Sequence, residues 1–461
     1  MFDLIIIGAG PGGFEAAITA LRKGLNIAIV EKDKLGGNCL NRACVPTKYF
    51  WIGAHTIEKL KVFNEYGIDI KDFSLDYSKA WEGKEKAISF LRKSVSQLFK
   101  TKKVPIFKGK GKIIDKNKVK VLTEDGSEKI IEGKYILIAT GSKPIAIGNL
   151  IPDGEYILTT EDYMDKLKKL PESILIVGGG VAGCELGYIM NRYGVDVHIV
   201  ELKNRILPLP FISEEAAKLI MRKFKQLGIK LHLETTVEKL EIKNNKVFVK
   251  LSSSDEIMTV DKVLLSVGRK PNTDIDEIGL EKDEKGFIKT NEYLQTSVEN
   301  IYACGDVVNS PMLAHVAMYE AKVAVHNIVE KNKKKVDYSL IPSAVFTVLE
   351  IGQIGLTEEQ AKEKGIETIT GYFPFMYNDK AVDEHEKEGF VRLIFEKNSK
   401  KLLGATIVGA SASELLHIME IAIKKEMTAE EIHEFVYFHP SLSEIFAYAT
   451  YDIAVGSLFR K

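Results

Sequence analysis

Short unbroken apolar runs, each closed by a glycine turn, punctuate this chain. Leu4-Ile5-Ile6-Ile7 runs into Gly8-Ala9-Gly10-Pro11-Gly12-Gly13. A continuous apolar run bounded by a turn predicts a strand buried on both faces, as in a parallel sheet. A helical pattern follows through Phe14 to Lys23, and a second strand, Asn26 to Val30, ends at Glu31. The pattern then recurs. Ser173 to Val177 leads into Gly178-Gly179-Gly180-Val181-Ala182-Gly183, a helix runs through Tyr188 to Tyr193, and Asp196 to Val200 ends at Glu201. The spacing from glycines to acid is the same in both copies. An internal repeat of strand, glycine turn, helix, strand and acid predicts two α/β nucleotide-binding units.

Amphipathic helices are predicted over Tyr49 to Leu60 and Trp81 to Phe99. Phe107 to Ile113 and Lys118 to Leu122 read as strands of a small antiparallel insertion. Tyr135 to Ile138 is a buried strand entering the turn Ala139-Thr140-Gly141-Ser142. Val263 to Thr273 reads as a strand and exit loop that returns the chain to the first unit. Ile301 to Val307 is a further strand with Gly305-Asp306 at its carboxyl end, and Met312 to Ile328 is a long helix. From Ile341 the character changes. Ala344 to Val348, Gly371 to Met376, Gly389 to Phe395 and Leu402 to Val408 read as strands. Ser413 to Lys424 and Ala429 to Phe435 read as helices, which makes an α+β domain without a nucleotide signature.

Composition narrows the class. Of 461 residues 45% are apolar, enough for a large core, and Lys plus Arg equals Asp plus Glu at 64 each. Zero formal charge gives no general pull toward nucleic acid or anionic membrane. No apolar run approaches the roughly 20 residues of a membrane span. The first strand begins almost at the amino terminus, so no signal peptide is expected. Four cysteines in such a length are not a disulfide scaffold. A cytoplasmic protein is expected, in which any disulfide is catalytic or redox-sensing.

The glycine loops carry the first chemistry. In G-x-G-x-x-G the first glycine makes the tight turn, the second admits the pyrophosphate, and the third lets helix and strand pack closely. Free N–H groups and the dipole at the helix start favour the phosphates. Glu31 and Glu201 stand where an acid hydrogen-bonds a ribose hydroxyl. At Glu201 a carboxylate repels a 2′-phosphate and favours NAD over NADP, although Lys203 and Arg205 lie near enough to soften that. Asp306 is a candidate ligand for a cofactor hydroxyl, or the cap of the next helix.

Cys39 and Cys44 carry the second. On a regular helix residues five apart have Cα atoms roughly 8.6 Å apart, and a disulfide needs about 7 Å or less. If the two are bonded, no regular helix joins them. They are either such a redox pair or two structural thiols. Pro46 suits the first turn of a helix starting near Cys44, with Lys48 one turn beyond on the same face. A cation there helps hold a thiolate. Near the carboxyl end, His439-Pro440-Ser441-Leu442-Ser443-Glu444 offers an imidazole and a carboxylate, which are either a base with its orienting acid or an ordinary loop histidine.

Taken together these motifs resemble the flavoprotein disulfide reductases of the pyridine-nucleotide class. The redox stretch Gly36 to Lys48 keeps the family's cysteines, Leu40, Asn41, Pro46 and Lys48 in register. Ala139-Thr140-Gly141, Gly268-Arg269-Lys270-Pro271-Asn272, Gly305-Asp306, Met312-Leu313-Ala314-His315 and His-Pro-x-x-x-Glu follow in family order. The resemblance implies two Rossmann-like domains and a C-terminal α+β dimerisation domain. The expected division is 1–148 for FAD, 149–270 for NAD, 271–338 returning to the FAD domain, and 339–461 for the interface. It implies FAD on Gly8, Gly10, Gly13, Glu31, Lys48, Gly111, Thr140, Gly141, Ser142, Asp306 and Ala314. NAD is implied on Gly178, Gly180, Gly183, Glu201, Val237 and Gly268, with Glu185 paired to Lys48 near the flavin. Cys39 would exchange with substrate and Cys44 would face the flavin. His439 and Glu444 would act as thiol base and orienting acid, supplied by the second subunit of an obligate homodimer. Among family activities, oxidation of a protein-bound dihydrolipoamide with NAD+ matches best. The partner would be the lipoyl-bearing protein of a 2-oxo acid dehydrogenase or glycine cleavage system.

Three residues depart from the family pattern: Asn38 for Thr, Ala43 for Gly, and Leu349 for Pro. None removes a reacting group. The rival activities are another NAD(P)H-dependent disulfide or metal-ion reductase, and a non-catalytic flavin-binding scaffold. A mercuric-ion reductase would carry a C-terminal cysteine pair, where this chain has Gly456-Ser457-Leu458-Phe459-Arg460-Lys461. A glutathione-type enzyme would carry arginines in place of Glu201.

Overall fold

The computed structural model describes residues 1–456; residues 457–461, the end of the expected interface domain and of the cysteine-free terminus, lie outside the described residues. The first unit opens with β1 (Phe2–Ile7), α1 (Pro11–Arg22) and β2 (Ile27–Glu31). Leu4, Ile5 and Ile6 are fully buried, because helices or ribbon cover both faces of the sheet. Three helices follow: α2 (Gly37–Arg42), α3 (Cys44–Lys59) and α4 (Tyr77–Thr101). β3 (Ile106–Lys108) then joins the sheet beside β2 in parallel, with Ile106 opposite Ile29. This differs from the expected insertion strand. Phe107 packs edge-on against Phe2, 6.2 Å between ring centres, which draws the segment into the main sheet. β4 (Lys110–Asp115), β5 (Lys118–Leu122) and β6 (Glu128–Ile138) form the antiparallel ribbon. β6 is shared: its start pairs with β5 and residues 133–138 pair in parallel with β1.

The chain leaves through β7 (Ser142–Pro144). The second unit contains β8 (Ile157–Thr159), α5 (Thr160–Lys166), β9 (Ser173–Val177), α6 (Val181–Arg192), β10 (Asp196–Val200), α7 (Glu214–Gln226) and β11 (Lys230–His232). An antiparallel ribbon, β12 (Val237–Lys243), β13 (Lys246–Leu251) and β14 (Ile257–Val260), precedes β15 (Lys262–Leu265). The parallel strands run in the order β11-β10-β9-β15-β8. The return passes through β16 (Arg269–Pro271), which pairs antiparallel with β7. β17 (Ile301–Ala303) then adds to β6 in the first sheet, and α8 (Ala314–Glu330) packs on α1.

The third unit contains β18 (Ser343–Phe346), β19 (Glu350–Gly355), α9 (Glu358–Glu363), β20 (Thr368–Pro374) and α10 (Asp379–Asp383). It continues with β21 (Phe390–Glu396), β22 (Leu402–Gly409), α11 (Ala412–Lys424), α12 (Ala429–His433) and α13 (Ile445–Ala454). Its sheet is antiparallel in the order β18-β19-β22-β21-β20. One apolar cluster unites all three units: Phe50 and Tyr77 from the first, Ile174 and Tyr188 from the second, and Val345, Leu349 and Phe390 from the third. Leu349 therefore has a packing role of its own in the place of the family's proline. The α/β architecture with two nucleotide units and an α+β third domain is as the sequence predicts.

Candidate active site

Gly8 turns β1 into α1 with φ of +103°, a conformation that favours glycine, and a Cβ there would lie 2.3 Å from the Ala139 carbonyl. A Cβ on Gly13 would lie 1.9 Å from the Gly8 carbonyl, so Gly13 serves helix-strand contact and does not itself line the cavity beyond the turn. That cavity has a volume of about 890 Å³ and runs from the glycine turn to the cysteines. Gly8, Gly10, Glu31, Gly111 and Ala314 line it, as do Thr140, Gly141, Ser142 and Asp306. Glu31 is held at its rim: Ala9 N–H donates to Oε2 at 2.7 Å and Asp33 N–H to Oε1 at 2.7 Å. Gly111 sits where a Cβ would come within 3.0 Å of Ile7 and Val30.

Asp306 is tied into a chain of bonds. Ser142 Oγ donates to Asp306 Oδ2 at 2.5 Å, Arg269 Nε donates to Ser142 Oγ at 2.7 Å, and Arg269 also pairs with Glu161 at 2.8 Å. Thr140 Oγ1 donates to the Asn272 carbonyl at 2.7 Å, and Asn272 Nδ2 donates back to the Thr140 carbonyl at 2.9 Å. The Ala-Thr-Gly-Ser turn is thus locked to the return loop of the second unit. Behind Asp306, the fully buried Glu320 accepts from Gly305 N–H at 2.6 Å and from the Tyr338 hydroxyl at 2.6 Å. Burial raises its pKa against those donors.

The cysteine segment breaks between two helices. Cys39 lies in α2, Cys44 opens α3, and Ala43 between them has φ −131° and ψ −99°. Its φ is negative, so no left-handed backbone is required of the Ala that stands where the family has Gly. Both thiols are free and line the cavity. They are unequal. The neighbouring Cys44 thiol and burial push the Cys39 pKa far up, while Cys39 and the Lys48 charge lower that of Cys44. The arrangement can hold one thiolate, on Cys44, with Cys39 as its donor.

Lys48, one turn into α3, lies behind the cavity wall. Its Nζ contacts both carboxylate oxygens of Glu185 at 2.9 Å and lies 4.3 Å from the Phe346 ring centre. Glu185, on α6, is buried and also accepts from Phe346 N–H at 3.0 Å. The three units meet at this pair. Arg42, between the cysteines, reaches Asp33 at 2.6 Å and Asp165 at 2.5 Å. Burial alone would lower its pKa; the two carboxylates reverse that.

The second glycine loop repeats the first. Gly178 has φ of +107°, a Cβ on Gly183 would lie 2.0 Å from the Gly178 carbonyl, and Gly180 has open space where its Cβ would point. Glu201 Oε2 accepts from Gly179 N–H at 2.8 Å and Oε1 from Lys203 N–H at 2.9 Å, as Glu31 does in the first unit. Thr235 N–H donates to the Glu201 carbonyl at 3.1 Å, which brings the start of β12 at Val237 toward the loop. Gly268, with φ of +116°, begins the return. His439 lies elsewhere, exposed on the third unit and not among the cavity-lining residues. Its Nδ1 is 2.9 Å from Glu444 Oε1, while Glu444 Oε2 accepts from Ser441 N–H at 2.8 Å. The bond to Glu444 raises the His439 pKa.

The sequence profile of the pyridine nucleotide-disulphide oxidoreductase family matches residues 2–321, and that of its dimerisation domain matches residues 341–450. The chain belongs to this family. It is 37% identical to the dihydrolipoyl dehydrogenase of Bacillus subtilis over 461 residues, covering 99% of this chain and 97% of that one. It is 36% identical to the mitochondrial dihydrolipoyl dehydrogenase of Pisum sativum, covering 98% and 91%. The fold matches the crystal structure of LpdA from Mycobacterium tuberculosis with a TM-score of 0.90 at 23% identity, covering 98% and 99%.

FAD and NAD, the cofactors of this oxidoreductase family, fit the residues present. In the first unit, Gly10 would meet only Gly37 Cα, at 3.7 Å, if it carried a Cβ, so the backbone can be approached closely. Asn38 Oδ1, on the cavity lining, is buried with no hydrogen-bond partner among the described residues. A bound dinucleotide can supply one. In the second unit, Gly180 has open space where a phosphate could approach and Glu201 has a fixed carboxylate, an arrangement with which the phosphate and ribose of NAD are compatible. Sequence reasoning did not assign Arg42, Arg269 or Glu320. Arg269 was visible within Gly-Arg-x-Pro-Asn and Arg42 by lying between two cysteines, but their carboxylate partners are far away in sequence. Glu320 lay inside a helical pattern with no signal of its own.

Proposed function

We propose that the protein oxidises protein-bound dihydrolipoamide to lipoamide with NAD+ as acceptor, as a cytoplasmic homodimer with shared active sites. The observation that carries this reading is the cysteine pair itself: Cys39 and Cys44 lie on either side of the helix break at Ala43 and both line the first cavity, with Lys48 one turn beyond Cys44. The dithiol substrate enters on the Cys39 side. In the oxidised enzyme the pair is a disulfide. The partner subunit's His439 takes the proton of one substrate thiol, held in the useful tautomer by Glu444. The thiolate attacks Cys39, breaks its bond to Cys44, and forms a mixed disulfide. The second substrate thiol then closes the product disulfide and releases Cys39 as a thiol. Cys44 is left as a thiolate, stabilised by Cys39 and by Lys48. Bound FAD and NAD+ supply the electron acceptance and hydride removal that reset the disulfide.

Two features support the dimer. His439 is remote from the cysteines within one subunit, and the adjoining Phe435, Val436 and Phe438 are exposed apolar residues for a second copy to cover. Glu201 supports NAD, since its carboxylate repels a 2′-phosphate. The lipoyl substrate rests on likeness to the named relatives. The test is partial reduction of the FAD-loaded protein. A long-wavelength thiolate–flavin absorption is expected in the parent and in Cys39→Ser, and is expected to vanish in Cys44→Ser. Its absence from the parent refutes the disulfide mechanism. Turnover with dihydrolipoamide, glutathione and mercuric ion, each with NAD(H) and NADP(H), then decides the substrate.

A further inference from the structure

His439 has a second acidic neighbour that the reading above does not use. While Nδ1 binds Glu444, the other ring nitrogen, Nε2, faces Asp379 Oδ2 at 4.0 Å. Nε2 is the nitrogen left free for a substrate thiol. Asp379 is the first residue of α10, and its placement is fixed by its neighbour. Asn378, 1% exposed, caps α10 by accepting from Ala381 N–H at 3.0 Å and donates through Nδ2 to the Ser441 carbonyl at 3.0 Å. One buried amide therefore holds the start of α10 against the loop that carries His439. We infer that Asp379 is a positioning residue for the thiol base: it biases the reacting nitrogen of His439 toward the protonated state and so favours the imidazolium–thiolate pair formed with the dithiol. This rests on His439 being that base.

Among the described residues, the charged groups facing His439 within one subunit are Glu444 from the short turn before α13 and Asp379 from α10. Lys380, the next cation along, is paired with Glu384 at 2.9 Å. Both acids act in the same direction on the imidazole. A full negative charge 4 Å away in a water-like dielectric changes a protonation equilibrium by about fivefold at most. That interaction is screened where the Debye length is about 3 Å, in 1 M salt.

The experiment follows flavin absorbance in the FAD-loaded enzyme in single turnovers across pH, once with dihydrolipoamide and once with NADH. In Asp379→Asn and Asp379→Ser the acid limb of the dithiol reaction moves to lower pH, and rates on that limb rise by up to about fivefold at low salt. Asp379→Glu keeps the parent profile. In 1 M salt the parent and Asn profiles converge. Reduction by NADH is unchanged in all of them. Superimposable low-salt dithiol profiles for parent and Asp379→Asn overturn the inference, as does an equal change in the NADH reaction. His439→Gln separates the two levels. If it slows dithiol and NADH reduction alike, the base assignment fails and this inference with it. If it slows only the dithiol step while Asp379→Asn changes nothing, the present inference alone falls.

Discussion

Lys48→Met tests whether the junction of three domains is held by one ion pair. Glu185 retains 6% of its side-chain exposure and Lys48 33%. Removing one partner of a fully buried pair typically destabilises by about 3–5 kcal/mol, because a charge is left buried and alone. Lys48 is one-third open to solvent, and screening reduces that figure to about 2 kcal/mol. Glu185 still accepts from Phe346 N–H, a bond at 3.0 Å that keeps part of its carboxylate satisfied. The single variants Lys48→Met and Glu185→Leu are each expected to lose about 2 kcal/mol. The double variant, which leaves no stranded charge, is expected to lose no more than the worse single. The assay is denaturant unfolding at saturating FAD, since bound cofactor contributes its own stabilisation. A double-mutant cycle separates the pair from its surroundings. Additive losses in the double variant would refute the coupling. In the same proteins, loss of the Lys48 charge raises the pH at which the long-wavelength thiolate band appears, since that charge lowers the Cys44 pKa. A band with unchanged pH dependence in Lys48→Met would remove Lys48 from the account of the thiolate.

The two glycines of the second loop should separate cleanly. Gly183→Ala drives a Cβ to 2.0 Å from the Gly178 carbonyl and is expected to destabilise the second unit by several kcal/mol, about the upper range for overpacking, seen as a lowered first unfolding transition. Gly180→Ala meets nothing within 4 Å and should leave flavin content and unfolding unchanged while raising the KM for NAD at least about tenfold by isothermal or kinetic measurement. Arg42→Met severs the link to Asp33 and Asp165. Asp33 has its pKa lowered, burial being outweighed by Arg42, so its contribution to stability is present above the ordinary Asp range and lost as pH falls through the lowered value. The stability gap between parent and Arg42→Met, from unfolding midpoints, should therefore be full at neutral pH and close on acidification; a gap that widens with acid contradicts it.

Legibility in the sequence followed the range of the interactions. Both glycine loops, their strands and their terminal acids were readable because each is a local device whose parts fall within one βαβ unit. The start of a helix near Cys44 was readable from Pro46, whereas the cysteine spacing called for a break before it only if the two thiols were bonded. β19 was not readable, although it is an interior strand of its sheet. Its Gly352, Gln353 and Gly355 break the apolar alternation, and Gln353 is satisfied by accepting from Thr406 Oγ1 on the neighbouring strand and by donating to the Ile354 carbonyl. β12 to β14 were also missed, since residues such as Lys239, Glu241 and Lys243 face solvent and give little hydrophobic signal. Residue roles that depend on distant pairing, such as Arg269 through Ser142 to Asp306, carry no signal in any local window.

These distant pairs share a feature that bears on function. Each ties a segment of the first cavity to the second unit: Arg42 to Asp165, Lys48 to Glu185, and Asp306 through Ser142 to Arg269 and Glu161. The cysteine helix, the lysine behind it and the acid at the far end of the cavity are therefore not positioned by their own domain alone. A protein that only stored a flavin would gain nothing from anchoring its redox residues to the unit carrying Glu201. A protein that passes an electron pair from thiols on one side to a nicotinamide on the other needs both units at a fixed separation, because misplacement of about 1 Å can reduce a rate about a hundredfold. The bonds between units therefore favour a relay over a scaffold, on grounds independent of the cysteine chemistry.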